Sequence, residues 1–311
     1  RDPDTDEVIR TFPPVPSLHL GVVTLDMGTG GFEVPTCDDP VDGDDGILRT
    51  SGNTSVMGCM ETYPSFLELR PGDDLDAFHN DATCIVRVGT GGCGFEQPLE
   101  AVLKAITPSD SSIIGSGPDQ IGPFLAGTGH ADGVNAGFLR EESLLALLFM
   151  TDEDDCSARD PDLYNRGSSE YTTDLNLRCT EHPDALFPIE RYVKGYLHAR
   201  KDAPERLVVA NIAGVPPDLV EDAGGDGFEQ ILTDERMQIR IDEDMPTRIE
   251  PACNVPGWGL AYPSRRMVQV AQGVDARGGT GVVTSVCRRD FTPAIGRILE
   301  PIADRLRTRC E

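Results

Sequence analysis

The sequence predicts an α/β domain in which a doubly wound, mainly parallel sheet carries helices on both faces. Three observations lead to this prediction. Apolar runs at 18–25, 144–150 and 207–214 are nearly continuous, as in strands that are buried on both faces of a sheet. Amphipathic helical patterns alternate with such runs. The connections are also long enough to cross over between parallel strands.

The first predicted strand is Leu18–Leu25, which ends at Asp26. Residues 27–63 are rich in Gly, Asp and Thr and contain two cysteines, so they are predicted to form a surface insertion held by disulfides. The sequence SFLEL, at 65–69, predicts a short edge strand.

Two amphipathic helices are predicted next. Asp73 and Asp74 are suited to capping the first one, whose apolar residues recur on one face. These apolar residues are Leu75, Phe78, Ala82 and Ile85. A glycine-rich turn at 89–94 precedes the second helix, whose apolar stripe is Phe95, Leu99, Val102, Leu103 and Ile106.

The most hydrophobic run, Leu144–Met150, is predicted to be a central strand of the sheet. Pro188 suits the first position of a helix, and Leu207–Gly214 predicts the next buried strand. A second irregular insertion, at about 214–262, is predicted to contain one alternating strand, Arg236–Ile241. The remaining predicted elements are a helix at 263–272, a strand at 281–287 and a helix at 293–306 that Pro301 should bend.

Composition limits the partners and the location of the chain. Its 311 residues include 53 acidic and 27 basic side chains, a net charge of −26, which excludes nucleic acid because phosphate binding needs a cationic face. No apolar run reaches 18 residues, so no transmembrane segment is predicted. The chain opens at Arg1 without a Met, so we expect an upstream segment, compatible with a lipid anchor. Residues 1–16 are predicted to be a linker or the tail of a missing first helix, and 17–311 a single domain.

The nine cysteines indicate an oxidising compartment, so the protein is expected to be extracellular, periplasmic or on the cell surface. Spacing favours bridges between nearest neighbours: Cys37 with Cys59, Cys84 with Cys93, and Cys156 with Cys179. Cys253 and Cys287 are further disulfide candidates. Because nine is odd, one thiol lacks a partner, and Cys310 at the chain end is the candidate.

Acidic residues follow two predicted strands, Asp26 after the first and Asp152 within TDEDD (151–155) after the run 144–150. Ligands of open α/β sheets bind at the carboxyl ends of the strands, and carboxylates suit a hard cation such as Mg²⁺ or Ca²⁺. A solvated acidic loop is the alternative interpretation. The turn GTGGCG (89–94) matches a dinucleotide motif only formally, and nucleophile and metalloprotease motifs are absent, so no enzyme is expected.

Three segments carry a resemblance to a known family: LGVVTLDMG, GTGGCGFEQPLEA and LLALLFMTDEDDCS. With the order of elements, they resemble the von Willebrand factor type A (vWA) domain, most closely its cysteine-rich, secreted or lipid-anchored bacterial members. The resemblance implies a doubly wound sheet with a divalent ion at its carboxyl edge. It maps the family's threonine ligand onto Thr90 and its later aspartate ligand onto Asp152.

The family's Asp-x-Ser-x-Ser motif, with its central strand, is absent from the chain. The metal-ion-dependent adhesion site is therefore incomplete, and Mg²⁺ or Ca²⁺ is expected to bind weakly or not at all. The resemblance implies a non-enzymatic binding or adhesion domain that recognises a protein partner through the carboxyl-edge loops. The alternative is a structural subunit of an extracellular assembly, completed by a strand from a neighbouring chain. A hydrolase, suggested only by the acidic residues at 152–155, is a third interpretation.

Overall fold

A computed structural model describes residues 15–221 and 227–307. Most of the predicted linker (residues 1–14) and Cys310 lie outside the described residues. The described strands are β1 (Leu18–Leu20), β2 (Leu67–Leu69), β3 (Leu145–Met150), β4 (Leu207–Ala213), β5 (Cys253–Val255), β6 (Gly259–Ala261) and β7 (Thr280–Ser285). The described α-helices are α1 (Leu75–Val86), α2 (Pro98–Ile106), α3 (Arg178–Glu181), α4 (Ile189–His198), α5 (Pro217–Glu221), α6 (Gly227–Thr233), α7 (Arg265–Asp275) and α8 (Thr292–Arg307). Short 3-10 helices lie at Pro161–Tyr164, Leu175–Leu177, Pro183–Ala185, Pro204–Arg206 and Glu235–Met237.

The central sheet consists of three parallel strands in the order β3-β4-β7. Leu147 pairs with Val209, and Val209 pairs with Gly281. Every residue of β4 is buried, as its continuous apolar sequence predicts for a middle strand. The α/β class and the parallel pairing are therefore confirmed.

Helices cover both faces of this sheet. On one face, Leu145, Leu147 and Phe149 pack in the largest core cluster with residues of α2, α4 and α7. On the other face, β4 packs through Val208 and Ile212 against Ile298 of α8. The alternation of side chains along the strands thus places one helical layer on each side.

Leu18–Leu25 is not a strand of the parallel sheet, so that prediction is wrong. Only β1 is extended, and it pairs antiparallel with β2 in a separate two-stranded sheet. The apolar residues of this run are used for packing instead: Leu20 and Val22 contact the cluster around α1, and Val23 contacts the main core. All residues of the run are half-buried, because the run lies between these two clusters and not inside a sheet. The predicted short strand at 65–69 is confirmed.

The prediction of Leu144–Met150 as a central strand is also wrong in its position. β3 lies in the sheet, but it is an edge of it, because β4 is its one partner among the described strands. Its burial alternates strictly, with Leu148 51% and Met150 55% exposed. The sequence conceals this alternation because the exposed positions are apolar too.

The predicted helices form close to the expected positions. Asp74 caps α1 by accepting hydrogen bonds from the main-chain N–H groups of Asp76 and Ala77. α2 starts at Pro98, α4 starts after Pro188, and α7 and α8 follow in the predicted order.

Arg236–Ile241 does not form the predicted strand. The carboxylate of Asp234 accepts a hydrogen bond from the N–H of Arg236 and caps a 3-10 helix, Glu235–Met237. Only an isolated bridge, Ile241 to Ile249, remains extended. A local side-chain bond to the backbone has competed with strand formation here.

Four disulfides join the described cysteines, and one of the three predicted pairs is confirmed, Cys156–Cys179. The other two pairings are wrong, because the bonds are Cys37–Cys93 and Cys59–Cys84. Folding brings the glycine turn onto the insertion: the N–H of Gly94 donates to the hydroxyl of Thr36 at 3.1 Å. The disulfide pairing is therefore decided by which segments meet in the folded chain and not by their spacing in the sequence. The fourth bond, Cys253–Cys287, joins the two remaining candidates.

Candidate functional site

The carboxyl ends of the three parallel strands meet at one edge of the sheet, where the acidic loop 151–155 follows β3. The N–H of Thr151 still donates to the carbonyl of Ile212 in β4, so the start of the loop is held by the sheet. In open α/β sheets this edge is where ligands bind.

Two of the four carboxylates in the loop point inward and cap helices. Asp155, 2% exposed, accepts a hydrogen bond from the N–H of Leu99 in the first turn of α2 at 3.0 Å. Asp154 accepts from the N–H of Arg266 at 3.0 Å, in the first turn of α7. Each carboxylate satisfies a main-chain donor that a helix start leaves without a partner. Their role is therefore to fix the loop to the helices.

The other two carboxylates, Asp152 and Glu153, are exposed, and Glu96 joins them from the segment before α2. The hydroxyl of Thr151 donates to Glu96 Oε2 at 2.9 Å, which places Glu96 beside the end of β3. The N–H of Cys156 donates to the carbonyl of Glu96 at 2.8 Å and fixes the same segment. Glu96 was not among the predicted site residues, although it lies in the segment GTGGCGFEQPLEA, which carries part of the resemblance to the vWA domain.

Two of these carboxylates, Glu153 and Glu96, have raised pKa values. Although the Glu153 residue is exposed, its carboxylate is partly desolvated by its neighbours, and this desolvation, together with the charges of Glu96 and Asp152, raises the pKa of Glu153 to about 7. Burial and the charge of Asp152 also raise the pKa of Glu96, although the Thr151 hydroxyl opposes this. The surface therefore carries concentrated negative charge that a cationic group would relieve.

An apolar cavity of about 270 Å³ opens next to these carboxylates. Its lining combines the ends of β3 and β7, the hairpin β5-β6 and the start of α8. The lining residues are Met150, Thr151, Asp152, Trp258, Gly259, Leu260, Ala261, Val286, Cys287 and Phe291. Trp258 lies between the two strands of the hairpin and is 63% exposed.

The hairpin is anchored on both sides. The disulfide Cys253–Cys287 joins β5 to the residue that follows β7 by two positions. On the other side, the N–H of Tyr262 donates to the carbonyl of Asp152 at 2.8 Å. The hydroxyl of Ser264 donates to the carbonyl of Glu153 at 2.9 Å. Trp258 is thus presented by a rigid support rather than by a free loop.

The predicted metal ligands Asp152, Asp26 and Thr90 come from three segments of the chain. Asp152 is at the end of β3, whereas the carboxylate of Asp26 accepts hydrogen bonds from the N–H groups of Gly28 at 2.9 Å and Cys93 at 3.2 Å. Thr90 is exposed in the glycine turn, three residues before Cys93. Among the described residues, no group of three or more His, Cys, Asp or Glu side chains is arranged to hold a metal ion. Thr90, Asp26 and Asp152 stay a predicted ligand set.

A second cavity, of about 220 Å³, lies beside α2 and contains buried charge that the helical pattern did not reveal. Lys104 is 1% exposed, and it binds the carboxylate of Asp45 and the carbonyl of Ala126. Nearby, Arg191 forms two hydrogen bonds with Glu100, at 2.9 and 2.6 Å. Because both cations are paired, these groups lock loops onto α2.

Comparisons with protein-family models, with curated proteins and with solved structures found no match to this chain. No described helix is both long and apolar enough to cross a membrane.

Proposed function

We propose that this chain is an extracellular, non-enzymatic binding domain of the vWA type that recognises a protein partner through the carboxyl end of its sheet. One observation carries the proposal: the exposed Trp258 stands on a disulfide-anchored hairpin beside an apolar cavity and next to outward carboxylates. Large aromatic residues in such positions supply much of the binding energy at protein interfaces.

The compartment is part of this proposal. Four disulfides fit an oxidising environment, which supports a secreted, periplasmic or cell-surface protein. The parallel sheet with helices on both faces is compatible with a vWA domain. A binding role through loops at the sheet edge follows from that resemblance.

The side chains at this surface indicate which groups the partner should carry. An apolar side chain would enter the cavity between Met150 and Phe291, and Lys or Arg would face Asp152 and Glu153. A divalent ion held by Asp152, Thr90 and Asp26 could replace the basic group by bridging to an acidic partner. The charge of −26 favours the basic partner, because it attracts cations without any ion site.

The single tryptophan of the chain makes the proposal testable, because all tryptophan fluorescence reports on this surface. A displayed library of random 12-residue peptides is selected on the full chain. We expect enriched peptides that combine one large apolar residue with Lys or Arg and that shift the Trp258 emission to shorter wavelength.

Variants then locate the contact. Trp258→Ala should weaken these peptides about tenfold or more, as expected for a central aromatic contact. Met57→Ala, at a residue that is 100% exposed in the first insertion, should leave binding unchanged. Selection that yields no peptide sensitive to Trp258→Ala would refute the proposal.

A further inference from the structure

The outer edge of β3 is an open hydrogen-bonding edge among the described residues. In a parallel pair, main-chain groups that face the neighbour alternate with groups that face away. Because the N–H of Thr151 donates to Ile212 in β4, the N–H and carbonyl groups of residues 146, 148 and 150 point away from β4. None of the main-chain hydrogen bonds found among the described residues engages them.

The same residues also leave an apolar face uncovered. Ala146, Leu148 and Met150 pair with Val208, Ala210 and Ile212, so their side chains share the face of the sheet that α8 covers. α8 packs on β4 and β7 there, and Leu148 and Met150 of β3 are more than half exposed. There is therefore room for another extended segment beside β3.

β3 lacks the features that normally prevent an edge strand from pairing with another chain. It has no Pro and no charged residue within Leu145–Met150, and all of its residues pair in regular register with β4. The opposite edge, β7, differs: its residues are buried or half-buried, and it contains Gly281. An exposed, regular and apolar edge is a template for strand addition.

We infer that the edge of β3 is a second protein-binding surface, which accepts a β-strand from a different polypeptide. That strand would carry apolar residues at alternate positions and a basic residue at each end. This edge adjoins the Trp258 cavity, because Met150 and Asp152 also line that cavity, but strand addition to β3 does not depend on the cavity binding anything.

Charge determines this choice of occupant. Acidic residues flank β3 at both ends: Glu141 and Glu142 precede it, with Glu142 paired to Arg206 at 2.7 Å, and Asp152 and Glu153 follow it. A basic residue at each end of the added strand would lie beside these carboxylates.

The same charges disfavour the other occupants. Two copies of this chain paired antiparallel about a two-fold axis would bring the leading acidic residues of one copy against the trailing acidic residues of the other. The segment 1–7 carries four carboxylates of its own, so it suits this edge poorly.

The test uses the same library of random 12-residue peptides. The library is selected on the full chain, and peptides that also bind the variant Leu148→Asn are removed. We expect enriched peptides with alternate apolar residues and Lys or Arg at both ends. Leu148→Asn should weaken their binding about tenfold or more. The control Leu125→Asn, at a residue of similar exposure in the loop after α2, should leave it unchanged.

Two further measurements identify strand addition. N-methylation of one alternate set of peptide amides should abolish binding, and methylation of the other set should preserve it. In the free chain the amides of Ala146, Leu148 and Met150 should exchange rapidly with solvent, and the bound peptide should slow them.

The contrary outcomes are equally distinct. Slow exchange of these amides in the free chain at every concentration would mean that the chain's own segment 1–14 occupies the edge. Slow exchange that appears only as the protein concentration rises would mean that a second copy of the chain occupies the edge. Peptides insensitive to Leu148→Asn or to N-methylation would exclude strand addition. Each of these results overturns the inference, whereas failure at Trp258 alone leaves it intact.

Discussion

The carboxylate of Asp155 joins two helices that are far apart in the chain: it accepts the N–H of Leu99 at 3.0 Å and the Nε–H of Arg266 at 3.1 Å. The first bond caps α2 and the second reaches α7. Asp155 also accepts the Ser157 hydroxyl at 2.6 Å. One buried carboxylate thus organises the base of the carboxyl-end loop.

Removing this carboxylate should destabilise the fold strongly. Asp155→Ala leaves the guanidinium of Arg266 without its buried partner, and we expect a loss of about 3–5 kcal/mol in the free energy of unfolding. Asp155→Asn keeps an acceptor for Leu99 and should lose only about 1–3 kcal/mol. Urea unfolding followed by circular dichroism measures both. Equal losses for the two variants would show that the acceptor kept by Asn contributes nothing and that the whole loss comes from removing the charge of Asp155.

The buried pair of Glu100 and Arg191 gives a second prediction. The guanidinium lies 4.1 Å from the ring centre of Phe187 and also donates to the carbonyl of Ile121. Arg191→Met leaves the carboxylate of Glu100 buried and unpaired, so we expect a loss of about 3–5 kcal/mol. Adding Glu100→Gln should recover part of the loss, which a double-mutant cycle in urea measures. Strictly additive losses would contradict the coupling.

The disulfide between Cys37 and Cys93 closes the longest loop, with a sequence separation of 56. Replacing both cysteines by serine should cost about 4 kcal/mol on the loop-entropy model. In the single variant Cys37→Ser, the freed thiol should be Cys93 and not Cys59. Alkylation followed by peptide mapping without reduction identifies it. If Cys59 is labelled instead, Cys37 pairs with Cys59, as the spacing of the cysteines predicted.

Metal binding is predicted to be weak. Because the carboxylate of Asp26 already accepts two main-chain hydrogen bonds, it is poorly placed to join Asp152 and Thr90 around one ion. Calorimetric titration of the full chain with Mg²⁺ and with Ca²⁺ should show no submicromolar site. The variant Asp152→Asn serves as the control. A tight site that this variant abolishes would establish a complete ion site at the sheet edge.

How much of the fold the sequence predicts depends on what each pattern measures. The helix starts at Asp74 and Pro188 were predictable because capping and proline geometry are local. The strands β3 and β4 were predictable as strands, but their order was not. Leu148 and Met150 are as apolar as buried residues, so the edge position of β3 became visible only once its neighbours were known.

The site was predictable only in part, for a similar reason. Asp152 was selected because a strand end fixes its position in the chain. Glu96 and Trp258 reach the same edge through loops, and no local pattern shows where a loop returns. Asp154 and Asp155 looked equivalent to Asp152 in the sequence, but only the structure separates helix caps from outward carboxylates.

The proton affinity of Glu153 leads to a prediction on pH. Its pKa is about 7 in the folded chain, against 4.5 for an ordinary glutamate, so the folded state holds more protons than the unfolded state between these values. The contribution of Glu153 should therefore make the free energy of unfolding fall as pH rises from about 4.5 to about 7. Glu153→Gln removes this contribution, and the variant should be more stable than the parent at pH 8 and little different at pH 4.5.

The size of this effect is limited because Glu153 is exposed. Solvent screening should keep the gain at pH 8 to about 1 kcal/mol or less. Urea unfolding at the two pH values measures it, and Glu33→Gln, at another exposed glutamate, is the matched control. If both variants gain equally at pH 8, the gain reflects the lower net charge of the chain. A gain confined to Glu153→Gln would assign it to the desolvation of Glu153 and to its repulsion from Glu96 and Asp152, and a bound basic partner would relieve that repulsion.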